Sequence, residues 1–192
     1  RAIAHYPGST RNYKFGKNSK DIISESKLLL VDGLFPLEYI KAAKFSKKVI
    51  ARDRKQGVFA QDFLTFANRM VSSNRLKTGR ARLKKYRRLF QQIEQNYGIP
   101  GPVITAFWGL ETDFGANNGN FPTLSALATL AYDCRRPELF EPQLLDALRL
   151  IEQGDLSAKQ MRGAWAGELG QVQFLPSDYY HNAVDFDGDG RR

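Results

Sequence analysis

The sequence has few of the residues that mark several common protein classes. Its single cysteine, Cys134, cannot form an internal disulfide, and we expect a free buried thiol there. The longest apolar run, Leu28–Val31, is four residues, far short of the roughly 18 that a membrane-spanning helix needs. No basic-then-apolar leader opens the chain, which leaves export undecided. These absences exclude an internally disulfide-bonded scaffold and predict a soluble globular protein.

What the sequence does contain is enough apolar surface for a core. Of 192 residues 42% are hydrophobic and 12% aromatic, which argues against wholesale disorder, a collagen-like repeat and a coiled-coil rod. Charge is uneven, because residues 1–100 hold 22 Lys and Arg against 7 Asp and Glu, whereas residues 101–192 hold 7 against 13. A basic half suits an anionic polymer such as nucleic acid, an anionic membrane or an acidic cell wall, without choosing among them.

Apolar periodicity predicts a mainly α-helical protein after an N-terminal arm without such a pattern. The predicted helices cover about 36–50, 59–71, 78–97, 102–111, 124–132 and 138–151, with a short one at 157–161. Residues 163–175 are glycine-rich, so we expect a small β element near 165–175. The helix that begins at Pro102 is expected to bury an apolar face made of Val103, Ile104, Phe107 and Leu110.

One predicted helix ends in a carboxylate among aromatic residues. Glu111 follows an apolar helix, lies between Trp108 and Phe114, and has Gly109 and Gly115 on either side. Such surroundings raise the pKa of a carboxyl group by desolvation, so that it stays protonated near neutral pH and can act as a general acid. Aromatic rings would also suit the C–H faces of sugars. The alternative is an exposed or capping glutamate at a helix end.

Near the C-terminus the sequence reproduces the opening of a calcium loop. Asp185, Asp187 and Asp189 occupy positions one, three and five, and Gly190 stands at position six, where the chain turns sharply. The hard oxygen ligands predict a structural Ca²⁺ that catalysis does not require. An acidic turn without metal is the alternative, since the chain stops at Arg192, before the twelfth position.

A basic run on the third predicted helix is the main candidate for contacting nucleic acid. Its members are Arg75, Lys77, Arg80, Arg82, Lys84, Lys85, Arg87 and Arg88. Several of them lie opposite the apolar stripe, as on any solvated face, and no recognition-helix, zinc-finger or base-stacking signature accompanies them. We therefore expect no specific nucleic-acid binding, and keep contact with a substrate polymer as an alternative.

Several blocks, in family order and at family spacing, strongly resemble the lytic murein transglycosylase B family of the lysozyme-like superfamily. The blocks are Gly109–Gly115, Leu124–Asp133 with Arg135 and Arg136, Gly163–Ser177, and Ala183–Gly190, with Asp53–Gln56, Phe59 and Phe63 upstream. The resemblance implies an α+β lysozyme-like catalytic domain over 36–192, incomplete at its C-terminal end, after an arm of unknown role over 1–35. It covers most of the chain.

The resemblance also implies an activity. The family cleaves the β-1,4 bond between N-acetylmuramic acid and N-acetylglucosamine in peptidoglycan without using water, which leaves a 1,6-anhydro product. Glu111 would be the single catalytic acid and base. A non-catalytic peptidoglycan-binding module with a truncated cleft and a lysozyme-type hydrolase are the alternatives.

Further site residues follow from the resemblance. Gln173 matches a glutamine in the saccharide cleft, although a glutamine that bridges the backbone remains an alternative. Glu168 stands where other relatives have alanine, and is either a second active-site carboxylate or a loop-bonding glutamate. Trp108, Phe114 and Gln171 complete the predicted substrate-binding set. The implied partners are peptidoglycan glycan strands, which a monomer would meet in the bacterial periplasm or cell envelope, with outer-membrane or envelope association left open.

Overall fold

The computed structural model describes residues 45–55, 61–133 and 135–191, and this part of the chain is mostly helical. In chain order its elements are α1 (Lys47–Arg54), α2 (Phe63–Met70), α3 (Ser73–Lys85), α4 (Arg87–Tyr97), α5 (Gly101–Thr112), β1 (Phe121–Pro122), α6 (Thr123–Tyr132), α7 (Pro137–Glu152), β2 (Arg162–Gly163) and α8 (Pro176–Asn182). The predicted mainly helical class with a small β element is confirmed. The N-terminal arm, the start of the first predicted helix, Phe59 and Cys134 lie outside the described residues.

The core lies around α6 and α7. Every residue from 123 to 131 is buried, because α6 is apolar or small on all sides and α7 packs along it. Thr129, a buried polar residue of this core, is paired: its Oγ1 donates to the Ser125 carbonyl oxygen at 2.6 Å and accepts from the Ser46 amide at 2.8 Å. The second of these bonds attaches α1 to the core.

A small antiparallel hairpin and two bridges follow the core. Phe121 of β1 pairs with Gly163 of β2, and the chain folds back so that Leu169 bridges both Gly163 and Phe174. Of the two strands, β2 thus lies slightly upstream of the predicted β element, β1 lies far upstream of it, and the bridges at Leu169 and Phe174 fall within it. No helix among the described residues is both long and apolar enough to cross a bilayer.

The predicted helix over 78–97 is two helices in the structure. The break falls at Tyr86, where φ is −105° and ψ is 23°, between the end of α3 and the start of α4. Its ring packs against Trp108 with centroids 5.8 Å apart, and the Lys85 ammonium lies 4.9 Å from the ring centroid. Apolar residues continue at helical spacing through the break, so periodicity alone could not reveal it.

The apolar face predicted for α5 is largely exposed, which corrects the sequence analysis. Val103 is 45%, Phe107 60% and Leu110 47% exposed. Small residues face inward instead: the buried positions are Gly101, Thr105, Gly109 and Thr112. A Cβ at Gly101 would lie 2.9 Å from Phe90 Cβ. The close approach of α4, and not hydrophobicity, therefore determines which face of α5 is buried.

Candidate active site

Glu111 lies in the last turn of α5, with its side chain exposed. Two residues later the helix ends in a left-handed turn, with φ of 55° at Asp113 and 61° at Phe114. The exposure of Glu111 does not match the expectation of a carboxylate enclosed by aromatic rings. Trp108 and Phe114 pack edge-to-face against each other, with centroids 5.6 Å apart.

The Phe114 ring fills space between helices. It is 7% exposed and lies against the glycine positions of two helices, since a Cβ at Gly79 of α3 would be 3.4 Å and one at Gly109 of α5 2.7 Å from Phe114 Cζ. This burial leaves little of the ring exposed, and a contact between Phe114 and a sugar stays a prediction. The sequence marked Phe114 as an aromatic neighbour of Glu111 along the chain, but could not show that its ring packs between two helices.

Hydrogen bonds tie the end of α5 to the loop over 163–175. Trp108 Nε1 donates to Gln171 Oε1 at 2.7 Å, and Thr112 Oγ1 donates to the Gln171 carbonyl oxygen at 2.6 Å. Gly115 has φ of 88°, and a Cβ there would lie 2.5 Å from Gln171 Oε1, so only glycine fits. Gln171 therefore joins the two walls of the candidate site, and Thr112 is a participant that sequence reasoning missed.

The Gln173 amide is turned toward the backbone. Its Nε2 donates to the Gly170 carbonyl oxygen at 2.8 Å and to the Asn118 carbonyl oxygen at 3.3 Å, and its own φ is 54°. This is the backbone-bridging arrangement weighed in the sequence analysis. The amide nitrogen is thereby fixed in place, and a contact between Gln173 and a saccharide stays a prediction.

Glu168 is a second carboxyl group beside Glu111. Burial raises the pKa of Glu168, and the charge of Glu111 raises that pKa further. The Glu168 Oε2 atom is buried without a hydrogen-bond partner among the described residues. The structure thus brings together the two glutamates that the sequence singled out 57 positions apart.

Part of the basic run turns toward this site. Arg75 Nε donates to Asp113 Oδ1 at 3.0 Å, which attaches α3 to the turn after Glu111. The Arg82 guanidinium lies 5.4 Å from the Trp108 ring centroid. Two of the basic residues thus contact residues next to Glu111 in the chain and help to hold them in place. Charge and periodicity did not indicate this role.

The structure gathers the three aspartates of the predicted calcium loop. Oxygen atoms of Asp185, Asp187 and Asp189 lie within 4.8 Å of one another, and all three residues are exposed. Asp185 accepts backbone hydrogen bonds from Gly188 at 2.7 Å, Asp189 at 3.2 Å and Gly190 at 2.9 Å. Chiefly through the Gly190 bond, these donors lower the pKa of Asp185. Gly190, with φ of 86°, makes the sharp turn at position six.

Comparison with known proteins decides the family. A family model described as the transglycosylase SLT domain matches residues 37–192. The chain belongs to this family. Its resemblance to lytic murein transglycosylases, stated from sequence blocks above, is confirmed, as is the lysozyme-like fold class.

Relatives of the SLT domain include several solved structures. The crystal structure of SltB3 from Pseudomonas aeruginosa in complex with NAG-NAM-pentapeptide is 34% identical, with a TM-score of 0.74, over 83% of this chain and 44% of that chain. The same protein in complex with NAG-anhNAM-pentapeptide is 33% identical, with a TM-score of 0.75 over 83% and 44% of the two chains. The Escherichia coli lytic transglycosylase Slt35 in complex with calcium is 30% identical, with a TM-score of 0.72, over 80% and 49%.

A curated relative gives the same family. The membrane-bound lytic murein transglycosylase B of Escherichia coli (strain K12) is 32% identical over 129 residues, which is 67% of this chain and 36% of the relative. The chain therefore spans about a third of this curated relative and less than half of the SltB3 chain.

Proposed function

We propose that this SLT domain is a lytic transglycosylase that cleaves the β-1,4 bond between N-acetylmuramic acid and N-acetylglucosamine in peptidoglycan. The observation that carries the proposal is the placement of Glu111. Its carboxylate is reachable from solvent at the end of α5, while hydrogen bonds through Gln171 fix that helix end to the loop that carries Glu168 and Gln173. The NAG-anhNAM-pentapeptide complex of the SltB3 relative supports an anhydro product.

The reaction uses Glu111 twice. In the first step the Glu111 carboxylic acid gives its proton to the glycosidic oxygen, the bond from that oxygen to C1 of the muramic acid breaks, and positive charge develops at C1 and the ring oxygen. In the second step the Glu111 carboxylate takes the proton of the muramic C6 hydroxyl, whose oxygen bonds to C1. The 1,6-anhydro ring closes and Glu111 is again protonated, so one carboxyl group suffices.

The test is product analysis on purified peptidoglycan. We expect anhydro-muropeptides, lighter by one water than hydrolysis products, and expect them to vanish for Glu111→Gln. Glu152→Gln, an exposed glutamate at the end of α7, is the matched control and should leave the yield unchanged. Reducing ends in place of anhydro ends would identify a lysozyme-type hydrolase.

The exposure of Glu111 also favours a second candidate, a peptidoglycan-binding module without catalysis. Glu111 is exposed to solvent, whereas a general acid is expected to lie in a site from which water is excluded. Sacculus binding without released product, equal in the wild type and in Glu111→Gln, would identify this function. Released anhydro-muropeptides would exclude it.

The acidic loop fits a structural Ca²⁺. Its three carboxylates are already gathered, and oxygen ligands of this kind suit calcium. In our proposal Asp185, Asp187 and Asp189 hold the ion, which would offset their mutual repulsion and stabilise the loop. Calcium should raise the melting temperature of the wild type, chelator should lower it, and Asp187→Asn should weaken the response. A melting temperature that changes with neither calcium nor chelator would contradict the proposed site.

Location and partners follow from the substrate. A peptidoglycan-cleaving domain works in the bacterial periplasm or cell envelope, where glycan strands are its partner. We propose that it acts as a monomer, since one chain supplies Glu111, Gln171 and Gln173 together. Light scattering of the purified chain tests the monomer, and fractionation of cells tests the location.

A further inference from the structure

Glu168 occupies a backbone position that the surrounding loop fixes closely. Its carbonyl oxygen accepts from the Ala164 amide at 3.0 Å. The next residue, Leu169, bridges Gly163 and Phe174 and is 4% exposed in the core. The Glu168 carbonyl oxygen and the neighbouring Leu169 together anchor the loop at this position.

Close packing at the neighbouring strand reinforces this position. A Cβ added at Gly163 would lie 1.8 Å from the Glu168 carbonyl oxygen, so the two backbone segments touch and no side chain fits between them. The Glu168 backbone cannot shift without separating the hairpin from its bridge. The fold therefore fixes the backbone from which the Glu168 side chain extends.

The Glu168 side chain carries an oxygen that nothing satisfies. Its Oε2 is buried and has no hydrogen-bond partner within residues 45–55, 61–133 and 135–191. Buried polar atoms are almost always paired in folded proteins, so an unpaired one beside a candidate catalytic group suggests that a ligand supplies the partner.

The electrostatic surroundings decide which form of Glu168 meets that ligand. Glu111 on α5 is the charged group that acts on Glu168 in the described chain, and the Ala166 and Glu168 amides face it from the backbone. Burial contributes most to raising the pKa of Glu168, Glu111 adds to it, and the amides offset part of it. The neutral acid, which has one O–H donor, therefore persists above the usual range of a glutamate.

We propose that Glu168 is a second carboxyl group of the saccharide cleft and donates a hydrogen bond, in its neutral form, to an acetamido or hydroxyl oxygen of the glycan beside Glu111. The proposal rests on the proposed function for its ligand. Glu168 transfers no proton in the reaction: Glu111 gives and recovers the proton, while Glu168 orients the sugar. When Glu168 ionises, its O–H donor is lost, so glycan binding weakens.

Binding measured in a background that cannot cleave is the direct test. We would titrate a purified tetrasaccharide of alternating N-acetylglucosamine and N-acetylmuramic acid into Glu111→Gln, alone and combined with Glu168→Gln or Glu168→Ala, across pH by calorimetry. Glu111→Gln alone should bind tightly at low pH and lose affinity as pH rises through the pKa of Glu168. The added Glu168→Gln keeps an N–H donor that does not titrate, so its affinity should stay constant in that range.

Glu168→Ala removes the donor altogether. We expect about fivefold weaker binding than Glu111→Gln alone at low pH, with no dependence on the same titration. Glu152→Gln in the same background is the matched control and should follow Glu111→Gln alone. Equal affinities in the Glu168 variants, an unchanged pH dependence in Glu168→Gln, or no measurable binding in any variant would each overturn the proposal.

A stability measurement checks the titration without any ligand. Since the folded state holds the Glu168 proton more tightly than the unfolded state, the wild type should lose stability as pH rises above the ordinary value of 4.5, and Glu168→Gln should lose less. The same loss in both proteins would contradict a raised pKa at Glu168 and overturn the neutral donor.

Activity assays separate this inference from the proposed function. Glycan binding that depends on Glu168, without any cleavage product from the wild type, would remove the proposed reaction and leave the donor. Anhydro products from the wild type, together with glycan binding that does not change in the Glu168 variants, would support the proposed reaction and remove the donor. Loss of cleavage in Glu168→Gln with unchanged binding would make Glu168 a proton-transfer residue and overturn its assignment as a donor alone.

Discussion

The candidate site lies between two regions that are built differently. On one side, the region of α6 and α7 buries Leu127, Leu130, Leu144 and Leu148 to 2% exposure or less. On the other, the helices α2 to α5 bury few large apolar side chains: α2 has no buried residue in the described structure, α3 and α4 have one each, and the four of α5 are glycines and threonines. We call the region of α6 and α7 the packed region, and the helices α2 to α5 the open region.

The difference between the two regions shows which interactions fix the positions of Glu168 and Glu111. Glu168 belongs to a loop anchored on the packed region by Leu169, whereas Glu111 belongs to the open region. Few buried apolar contacts imply a lower free energy for local opening. The position of Glu111 therefore depends on particular hydrogen bonds to Gln171 more than on packing, and the predictions below test that contrast.

The largest expected effect separates the two regions by truncating one leucine in each. Leu127→Ala leaves a cavity in the packed region and should lower the free energy of unfolding by about 3 kcal/mol. Leu110→Ala on exposed α5 should change it by less than about 0.5 kcal/mol. Urea unfolding of both variants measures the difference. Equal losses would mean that the open region is packed as tightly as the other.

Adding one methyl group to a glycine of the hairpin and to one of the open region gives the next effect. In Gly163→Ala the new Cβ would meet backbone at 1.8 Å, and we expect a loss of about 3 kcal/mol. In Gly109→Ala it would meet the end of the Phe114 ring at 2.7 Å, and the better helix propensity of alanine offsets part of the strain. The net loss there should be about 1 kcal/mol. Thermal unfolding ranks the two, and a larger loss for Gly109→Ala would contradict the contrast.

A smaller effect concerns the hydrogen bonds that join the regions. Thr112→Val removes the donor to the Gln171 carbonyl oxygen at nearly constant volume and should cost about 1 kcal/mol. Because this bond helps to position Glu111, glycan cleavage should fall by more than the stability loss explains at a temperature where the variant is folded. Thr105→Val, which removes a bond within α5 to the Gly101 carbonyl oxygen, is the control and should leave cleavage intact.

The smallest expected effect is at the ion pair of Arg75 and Asp113. Both side chains are partly exposed, at 20% and 37%, so solvent screens the attraction. Asp113→Asn should cost about 0.5 kcal/mol in chemical unfolding, and added salt should shrink the difference from wild type. A loss above 2 kcal/mol would show that the open region relies on this pair far more than its exposure indicates.

Sequence reasoning performed best where one physical factor dominates. The helices over 124–132 and 138–151 were predicted closely, because apolar residues there are dense and Gly154 marks an end with φ of 84°. The motif around Glu111 was placed at a helix end, and the structure agrees. The resemblance supplied the family, which periodicity could not.

The features that the sequence did not predict depend on contacts between segments that are distant in the chain. No local pattern shows that α5 buries glycine and threonine, since Phe90 and Phe114 arrive from elsewhere in the chain. The exposure of Glu111 and the bonds to Gln171 were hidden for the same reason. Glu168 could be marked as unusual from sequence, but its burial beside Glu111 required the folded loop.

The central claim is that the glycan's own C6 hydroxyl, and not water, completes the cleavage that Glu111 begins. Digestion of peptidoglycan by the wild type in water labelled with heavy oxygen tests it directly. Released fragments should carry anhydro ends and no heavy oxygen, and Glu111→Gln should release none. Heavy oxygen at C1 of the released muramic acid would show that water is the nucleophile and would contradict the account.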